Sequence, residues 1–306
     1  MAKILIATEK PFAKVAVDGI KEVAETAGLE IVLLEKYTEK AQLLAAVADV
    51  EAMIIRSDKI DNEVFDAAKN LKIVVRAGAG YDNVDLAAAT AHGVVVMNTP
   101  GQNSNAVAEL VFGMLVFAVR NFYNGKAGTE LKGKKLGILA YGNVGRRVAH
   151  IAKGFDMDVY AYDADCPAAA IVSDGVKAVS SQDELFEKCE VVSLHIPATA
   201  ETRQSINYAL VGKMPKGGVL VNTARKEVIN EPELLKLMQD RTDLKYVTDI
   251  MPEADADFRI LEGRYFSTPK KMGAQTAEAN INAGVAAAHQ IAAFFKDGCT
   301  KYQVNK

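Results

Sequence analysis

The chain has 306 residues, of which 50% are hydrophobic and 25% are charged, and its formal net charge is -3. This composition is typical of a globular protein with material for two domains, and it excludes extended disordered or fibrous structure. Because Lys and Arg are scattered among acidic residues without forming a basic stripe, we do not expect nucleic acid as a partner.

Cysteine usage and hydropathy indicate the cellular compartment in which the protein functions. Cys166, Cys189 and Cys299 fit neither a disulfide framework nor a metal-ligand spacing. The apolar stretch at the N-terminus is too short for a signal peptide. No apolar run reaches the roughly 18 residues of a membrane-spanning helix. We therefore expect a cytoplasmic protein that binds no metal and no membrane.

Strand and helix patterns alternate along the first third of the chain. Short apolar runs predict strands, and apolar residues at helical spacing predict the helices between them. The predicted strands cover 4–7, 31–34, 52–55, 73–75 and 94–97, and the predicted helices begin near residues 12, 41 and 62. Such alternation implies a parallel sheet with right-handed crossovers.

A long apolar helix over about 106–120 leads into a second alternating series. Its predicted strands cover 135–139, 159–162, 191–194, 218–221 and 246–249, and a last helix over 277–295 returns to the first domain. We therefore predict an α/β protein with two Rossmann-like, doubly wound parallel-sheet domains and an active site in the cleft between them. The predicted domains are 1–98 plus 277–306, which binds substrate, and 99–276, which binds a dinucleotide.

The turn after strand 135–139 has the pattern of a dinucleotide-binding loop. It consists of Ala140, Tyr141, Gly142, Asn143, Val144 and Gly145. Small residues let the backbone approach a pyrophosphate, and the following helix contributes free N–H groups at its positive end. Asp163 ends the next strand, where its carboxylate can accept from ribose hydroxyls and would repel a 2′-phosphate. The pattern predicts NAD, although Ala140 occupies the position of the usual first glycine.

Three further segments, read with this loop, have the residues of a known family. They are VVRAGAGYDNVD at 74–85, VNTAR at 221–225 and TPKKMGAQT at 268–276. The chain resembles the D-isomer-specific 2-hydroxyacid dehydrogenases over essentially its whole length, and most of all the short D-3-phosphoglycerate dehydrogenases without a regulatory domain. The resemblance implies NAD as the cofactor and a small phosphorylated 2-hydroxy acid as the substrate.

The resemblance also implies which strand ends line the cofactor. These residues are His195, Pro197, Thr223, Ala224, Asp249, Gly273 and Ala274. Asp249 corresponds to the family acid that orients the nicotinamide carboxamide. We interpret His195 as a structural or cofactor-lining residue and not as a catalytic one.

Substrate-binding residues are predicted from these segments and from positions 56, 57 and 103. Backbone N–H groups of Gly78, Ala79 and Gly80 would form a nest for the substrate carboxylate. Arg225 resembles the family arginine that binds carboxylate and carbonyl oxygens, a task suited to a planar bidentate donor. The candidates for the phosphate are Arg56 with Ser57, Arg76 and Asn103, to which Lys36 could add charge.

The family's catalytic histidine has no counterpart here. Alignment on the Gly-Ala-Gln-Thr segment at 273–276 places Lys271 at the position of that histidine. A lysine can act as acid and base if burial or nearby Arg225 lowers its pKa from about 10.4. The alternative is that Lys271 only pairs with a substrate anion. For the glutamate that tunes the family histidine, the sequence offers only Glu253, one place early.

Three functions therefore remain open from the sequence. They are a D-3-phosphoglycerate dehydrogenase, another D-2-hydroxyacid dehydrogenase of the hydroxypyruvate, glyoxylate or lactate type, and a non-catalytic NAD-sensing protein of the same fold. The presence of Arg225 favours an enzyme, whereas the missing histidine and glutamate favour a sensor. The apolar helix over 106–119 and its neighbours predict the face of a homodimer.

Overall fold

The computed structural model describes residues 1–306 and divides into two compact units. Unit 1 contains Met1–Asn103 and Gln275–Lys306, and unit 2 contains Ser104–Ala274. The sequence analysis placed these boundaries after residues 98 and 276. Residues following Asn98 stay with unit 1 because the Asn98 side chain donates to the Ala79 oxygen, 2.6 Å away, and the Thr99 N–H donates to Gly78.

Unit 1 is built on a five-stranded parallel sheet with the order β2-β1-β3-β4-β5. Its elements are β1 (Lys3–Thr8), α1 (Lys14–Thr26), β2 (Glu30–Glu35), α2 (Lys40–Val47), β3 (Ala52–Ile55), α3 (Asn62–Ala67), β4 (Ile73–Arg76), α4 (Leu86–Ala91) and β5 (Val95–Asn98). The final helix of the chain, Ala277–Asp297, also belongs to this unit and packs on α1.

Unit 2 is built on a seven-stranded parallel sheet. Its elements are α5 (Ser104–Val119), β6 (Lys135–Leu139), α6 (Asn143–Gly154), β7 (Asp158–Tyr162), α7 (Ala168–Ser173), β8 (Lys177–Ala178), α8 (Gln182–Lys188), β9 (Val191–Leu194), α9 (Tyr208–Val211), β10 (Val219–Asn222), α10 (Glu231–Asp240), β11 (Lys245–Thr248), α11 (Asp255–Arg259) and β12 (Tyr265–Ser267). The final helix of the chain is therefore α12. The sheet order, β12-β11-β10-β9-β6-β7-β8, follows the doubly wound dinucleotide-binding pattern, with its switch point between β6 and β9.

Each sheet has a hydrophobic core on both of its faces. In unit 1 the two cores lie on opposite sides of strands β1, β3 and β4, and in unit 2 on opposite sides of β6, β9 and β10. Strands buried on both faces are apolar along their whole length. This explains why the apolar runs located the central strands, and the predicted α/β fold with two doubly wound parallel sheets is confirmed.

Short elements at the edges of the sheets were missed. Helix α4 has six residues, most of them alanine, and its start is marked only by Asp85, whose side chain accepts from the N–H of Ala88. Strands β8 and β12 have two and three residues. No helix in the chain combines the length and apolar character needed to cross a bilayer.

Candidate active site

The predicted dinucleotide loop connects β6 to α6 at the switch point of the unit 2 sheet. Ala140 has a φ of 76°, a left-handed conformation that usually requires glycine. Gly142 is the residue before α6, and no side chain caps the exposed N–H groups there. A β-carbon on Gly142 would meet nothing within 4 Å, whereas one on Gly145 would lie 2.4 Å from the Ala140 oxygen. Gly142 therefore leaves open space beside the helix N-terminus, and Gly145 permits close packing of helix on strand.

Tyr141 turns its side chain away from this open space. The ring is 1% exposed, and its hydroxyl donates to Asp174 at 3.2 Å. Burial and the Asp174 carboxylate raise the pKa of Tyr141 to about 12. The backbone N–H of Tyr141 donates to Asp163 at 2.6 Å. Tyr141 thus anchors the loop, with its side chain in the core of unit 2.

Asp163 organises the same loop from the end of β7. One carboxylate oxygen accepts from Tyr141, and the other accepts from the N–H groups of Asp165 and Cys166 at 2.8 and 2.9 Å. These bonds fix the carboxylate at the end of β7, and a carboxylate can accept further hydrogen bonds through its remaining lone pairs. The sequence identified the position of Asp163 but not its bond to the glycine-rich loop.

At the end of β9, His195 Nε2 lies 2.9 Å from the Ser193 hydroxyl. Burial lowers the pKa of His195 to about 3, so the ring is neutral at physiological pH. The following Pro197 is exposed. The ring is thus neutral and lies beside a buried serine, Ser193, which the sequence analysis did not identify.

The turn after β10 is shaped by Asn222. Its side-chain oxygen accepts from the N–H of Ala224 at 2.9 Å, and its amide donates to the Arg225 oxygen at 3.1 Å. The hydroxyl of Thr223 is buried and has no hydrogen-bond partner. An unpaired buried hydroxyl at a strand end is a polar group available to a ligand. Asn222 lies in the VNTAR segment, yet its role in shaping the turn was not predicted.

Lys271 and Arg225 converge on one backbone oxygen. Lys271 Nζ donates to the Ala224 oxygen at 2.9 Å and lies 3.4 Å from the Thr223 oxygen, and Arg225 Nη1 donates to the same Ala224 oxygen at 2.9 Å. Burial lowers the pKa of Lys271, Asp249 opposes this shift, and Arg225 adds to it. The Lys271 side chain as a whole remains 46% exposed.

Asp249 follows β11 and is fully buried. Its Oδ2 accepts from the N–H groups of Gly273 and Met272 at 2.6 and 3.3 Å, and its Oδ1 has no hydrogen-bond partner. Burial raises the pKa of Asp249. A β-carbon on Gly273 would lie 2.8 Å from Oδ2, so glycine is required for this approach. Ala274, the last residue of unit 2, follows directly.

Glu253 is not beside Lys271. Its side chain is 80% exposed and binds Lys226 at 2.8 Å, whereas the carboxylate near Lys271 is that of Asp249, 3.8 Å from Nζ. The sequence offered Glu253 as the only glutamate close to the expected position. The loop after β11 is short and turns Glu253 towards solvent, so proximity in sequence was misleading.

In unit 1, the Arg56 guanidinium is largely engaged within the protein. Its Nη1 donates to the Lys10 and Pro11 oxygens at 2.9 and 3.1 Å, and its Nη2 donates to Asn280 at 2.7 Å. Burial lowers the pKa of Arg56. The neighbouring Ser57 is exposed. Arg56 therefore holds the loop after β1 to α12, with fewer N–H groups left for a ligand than the sequence suggested.

Arg76 and Gly78 shape the segment after β4. Arg76 Nε donates to the Arg56 oxygen at 3.0 Å. Gly78 has a φ of 149°, and a β-carbon there would lie 1.4 Å from Arg76 Nη1. Ala79 and Gly80 follow and are partly exposed. The Arg76 side chain thus passes directly over the predicted carboxylate nest.

The other predicted substrate residues lie at the margins of unit 1. Asn103 is the residue before α5 and the last residue of the first of the two chain segments that form unit 1. Lys36 is exposed, with a φ of 58°, and its N–H donates to the Thr8 oxygen at 2.9 Å.

Asp58 is a buried hub that the sequence did not reveal. It is 2% exposed and accepts from the Glu9 N–H and the Tyr37 hydroxyl, both at 2.8 Å, and from the Arg56 N–H at 3.1 Å. One carboxylate thus joins the loops after β1, β2 and β3. No local pattern could reveal it, because Glu9 and Asp58 are 49 residues apart.

Known proteins resemble the chain over most of its length. Residues 113–265 match the family model for the D-isomer specific 2-hydroxyacid dehydrogenase NAD binding domain. The chain is 32% identical to D-3-phosphoglycerate dehydrogenase of Methanocaldococcus jannaschii, covering 95% of this chain and 57% of the relative. It is 34% identical to hydroxypyruvate reductase of Thermotoga maritima, covering 86% of this chain and 90% of the relative. Apart from that reductase, the chain spans about half the length of these curated relatives.

A solved structure covers the whole chain. The structure of NAD⁺-bound 3-phosphoglycerate dehydrogenase from Entamoeba histolytica is 48% identical, with a TM-score of 0.88, and the match covers 100% of this chain and 99% of the other. The structure of Escherichia coli D-lactate dehydrogenase is 25% identical with a TM-score of 0.79, covering 99% of both chains.

Proposed function

Since the chain belongs to the D-isomer-specific 2-hydroxyacid dehydrogenases, a family of NAD-dependent oxidoreductases, we propose that it oxidises 3-phospho-D-glycerate to 3-phosphohydroxypyruvate. This reaction is the first step of phosphorylated L-serine biosynthesis. The observation that carries the proposal is the convergence of Lys271 and Arg225 on the Ala224 oxygen. A proton donor, Lys271, and a group that can donate two hydrogen bonds to an anion, Arg225, thus lie together at the end of a central strand of the NAD-binding unit.

The residues of unit 2 fit NAD. The open space at Gly142 and the uncapped N-terminus of α6 suit a pyrophosphate, and Asn143 and Val144 continue that turn into the helix. Asp163 suits the adenosine ribose, and the unpaired Thr223 hydroxyl and Asp249 Oδ1 offer polar groups to the nicotinamide end. When bound, NAD supplies the hydride acceptor for oxidation of the substrate carbon.

Lys271 is the acid and base of the proposed reaction. In ketone reduction its ammonium donates a proton to the forming hydroxyl, and in oxidation its neutral amine accepts that proton. The lowered pKa of Lys271 makes the neutral amine easier to reach than in an ordinary lysine. Arg225 stabilises negative charge on the carboxylate and carbonyl oxygens, as a fixed planar donor can do.

Unit 1 supplies the substrate-binding groups in this proposal. Backbone N–H groups around Gly78, Ala79 and Gly80 bind the carboxylate, and Arg76 beside them adds positive charge. Arg56, Ser57 and Asn103 serve the phosphate. Because three N–H groups of Arg56 are already engaged, its contribution comes from its charge and its remaining donors.

A second candidate substrate is hydroxypyruvate. It is favoured by the 34% identity to a hydroxypyruvate reductase of which the match covers 90%. It is also favoured by the engaged state of Arg56, since an unphosphorylated substrate needs no additional cation.

NADH oxidation followed at 340 nm with a panel of 2-keto acids tests the proposal. We expect 3-phosphohydroxypyruvate to have a higher kcat/KM than hydroxypyruvate, glyoxylate or pyruvate. A higher kcat/KM for hydroxypyruvate would mean that hydroxypyruvate, and not 3-phosphohydroxypyruvate, is the substrate. NADH binding without turnover of any of these acids would instead identify an NAD-sensing protein.

Lys271→Met with the matched control Lys270→Met tests the catalytic role. Loss of a general acid lowers kcat by roughly 100-fold or more. The exposed Lys270 side chain has no such role, and its removal should change kcat by less than about twofold. Near-normal kcat with a raised KM in Lys271→Met would mean that Lys271 only binds the substrate anion.

We also propose a homodimer in the cytoplasm. Helix α5 is buried along most of its length, but Gly113 is exposed and Leu110, Val116 and Phe117 are partly exposed, which gives it a partly apolar outer face. All three cysteines are free, which suits a reducing compartment. Sedimentation at micromolar concentration checks the dimer, and a monomer would refute it.

A further inference from the structure

The two oxygens of the carboxylate nearest to Lys271 differ in their hydrogen bonding. Asp249 Oδ2 is saturated by the backbone N–H groups of Gly273 and Met272, whereas Oδ1 lies 3.8 Å from Lys271 Nζ and accepts no hydrogen bond. A fully buried carboxylate oxygen without a partner is rare and calls for an explanation. The nearest positive charge is the candidate acid and base itself.

Asp249 also holds the backbone that carries Lys271. The two N–H groups bound by Oδ2 belong to the residues directly after Lys271, so the carboxylate fixes the chain on one side and faces the ammonium group on the other. The close approach at Gly273 leaves no room for a β-carbon, which keeps the carboxylate in this place.

We propose that Asp249 is the positioning residue of Lys271, holding both its ammonium group and its backbone in place for proton transfer. The proposal rests on the proposed function, in which Lys271 transfers the proton. It assigns to this chain's own buried aspartate the task for which the sequence offered only Glu253, and that residue is bound to Lys226 instead.

The groups that face Lys271 act in opposite directions. Asp249 and, more weakly, Glu227 favour the ammonium form, whereas burial and Arg225 disfavour it. An opposite charge within about 4–6 Å shifts a pKa by about one unit or more. Removing the Asp249 charge should therefore lower the pH at which Lys271 loses its proton.

Lysine titration in the protein without NAD tests this directly. Trace labelling with acetic anhydride across a pH series, followed by peptide mass spectrometry, gives the midpoint pH of Lys271 with Lys270 as an internal reference. We expect Asp249→Asn to lower the Lys271 midpoint by about one pH unit. Glu253→Gln, the matched control, should leave it unchanged.

The same variants give a second readout in the enzyme. Ketone reduction uses the ammonium form, so kcat/KM falls as pH rises through the Lys271 pKa. This falling limb should begin at lower pH in Asp249→Asn than in wild type or Glu253→Gln. If Asp249→Asn does not fold, Asp249→Ser removes the same charge with a smaller side chain.

Two results would overturn the inference. One is an unchanged Lys271 midpoint in a folded, neutral variant at position 249, which would mean that Asp249 only supports the backbone. The other is an equal shift in Glu253→Gln. Absence of turnover by the wild-type protein would instead refute the proposed function. The labelling experiment would still measure the effect of Asp249 on the midpoint pH of Lys271.

Discussion

The carbonyl oxygen of Ala140 lies 2.4 Å from the point that a β-carbon on Gly145 would occupy. No flexible side chain is involved, so the backbone of the loop would have to move to accept Gly145→Ala. Gly142 is three residues earlier and has open space instead. The two glycines of the loop therefore differ in their surroundings, since Gly145 permits close packing and Gly142 leaves open space beside α6.

Alanine at each glycine should separate these purposes. Gly145→Ala overpacks the helix against the strand and should lower the free energy of unfolding by about 1–3 kcal/mol. Gly142→Ala should stay within about 0.5 kcal/mol of wild type but weaken NADH binding, because its methyl group enters the open space. Urea unfolding and NADH fluorescence titration measure the two effects. Normal NADH affinity in Gly142→Ala would mean that the pyrophosphate does not bind beside Gly142.

Ala140→Gly should stabilise the protein. Ala140 has a φ of 76°, and glycine adopts such a conformation without the steric strain of a β-carbon. Part of the gain is lost because glycine makes the unfolded chain more flexible, so we expect a net increase of about 0.5 kcal/mol in the free energy of unfolding. Ala140→Val, with a branched side chain, should have the opposite sign in the same urea experiment. A lower stability of Ala140→Gly would mean that the left-handed turn is not strained.

The central strands and the dinucleotide loop could be predicted because their signals are local. A strand buried on both faces is an apolar run, and β3, β6 and β9 were placed at their observed bounds. Ala140 was recognised as occupying the position of the usual first glycine, and its φ of 76° explains why glycine is usual there. Helix α4 escaped because six mostly small residues carry no helical periodicity.

The contacts that shape the site could not be predicted, because they join residues far apart in sequence. Tyr37 and Asp58 are separated by 21 residues, Asp249 and Gly273 by 24, and Lys271 and Ala224 by 47. The motif identified Lys271 by alignment, but only the fold shows that Asp249 and not Glu253 is its neighbour.

Asp58→Ala should be among the most damaging single changes in unit 1. It leaves the Glu9 and Arg56 N–H groups and the Tyr37 hydroxyl without their acceptor in a buried place. Each such loss costs about 1–3 kcal/mol, so we expect a total of about 3 kcal/mol or more. Asp49→Ala is the control, because Asp49 is 79% exposed and binds only Lys3. Comparable denaturation midpoints for the two variants would show that Asp58 is not a structural hub.

His195 should make stability depend on pH. Its pKa is lowered to about 3 in the folded protein from an ordinary value of 6.5, so the unfolded chain binds a proton first as the solution is acidified. Stability is then complete above about pH 6.5 and falls below it, by about 1 kcal/mol at pH 5.5. His195→Asn removes this proton and should flatten the curve of unfolding free energy between pH 7 and pH 5.5. His92→Asn is the control, because the Ala88 carbonyl and the Asp66 carboxylate raise the pKa of His92 and its contribution has the opposite sign. A curve for His195→Asn as steep as that of wild type would mean that the folded protein does not lower the pKa of His195.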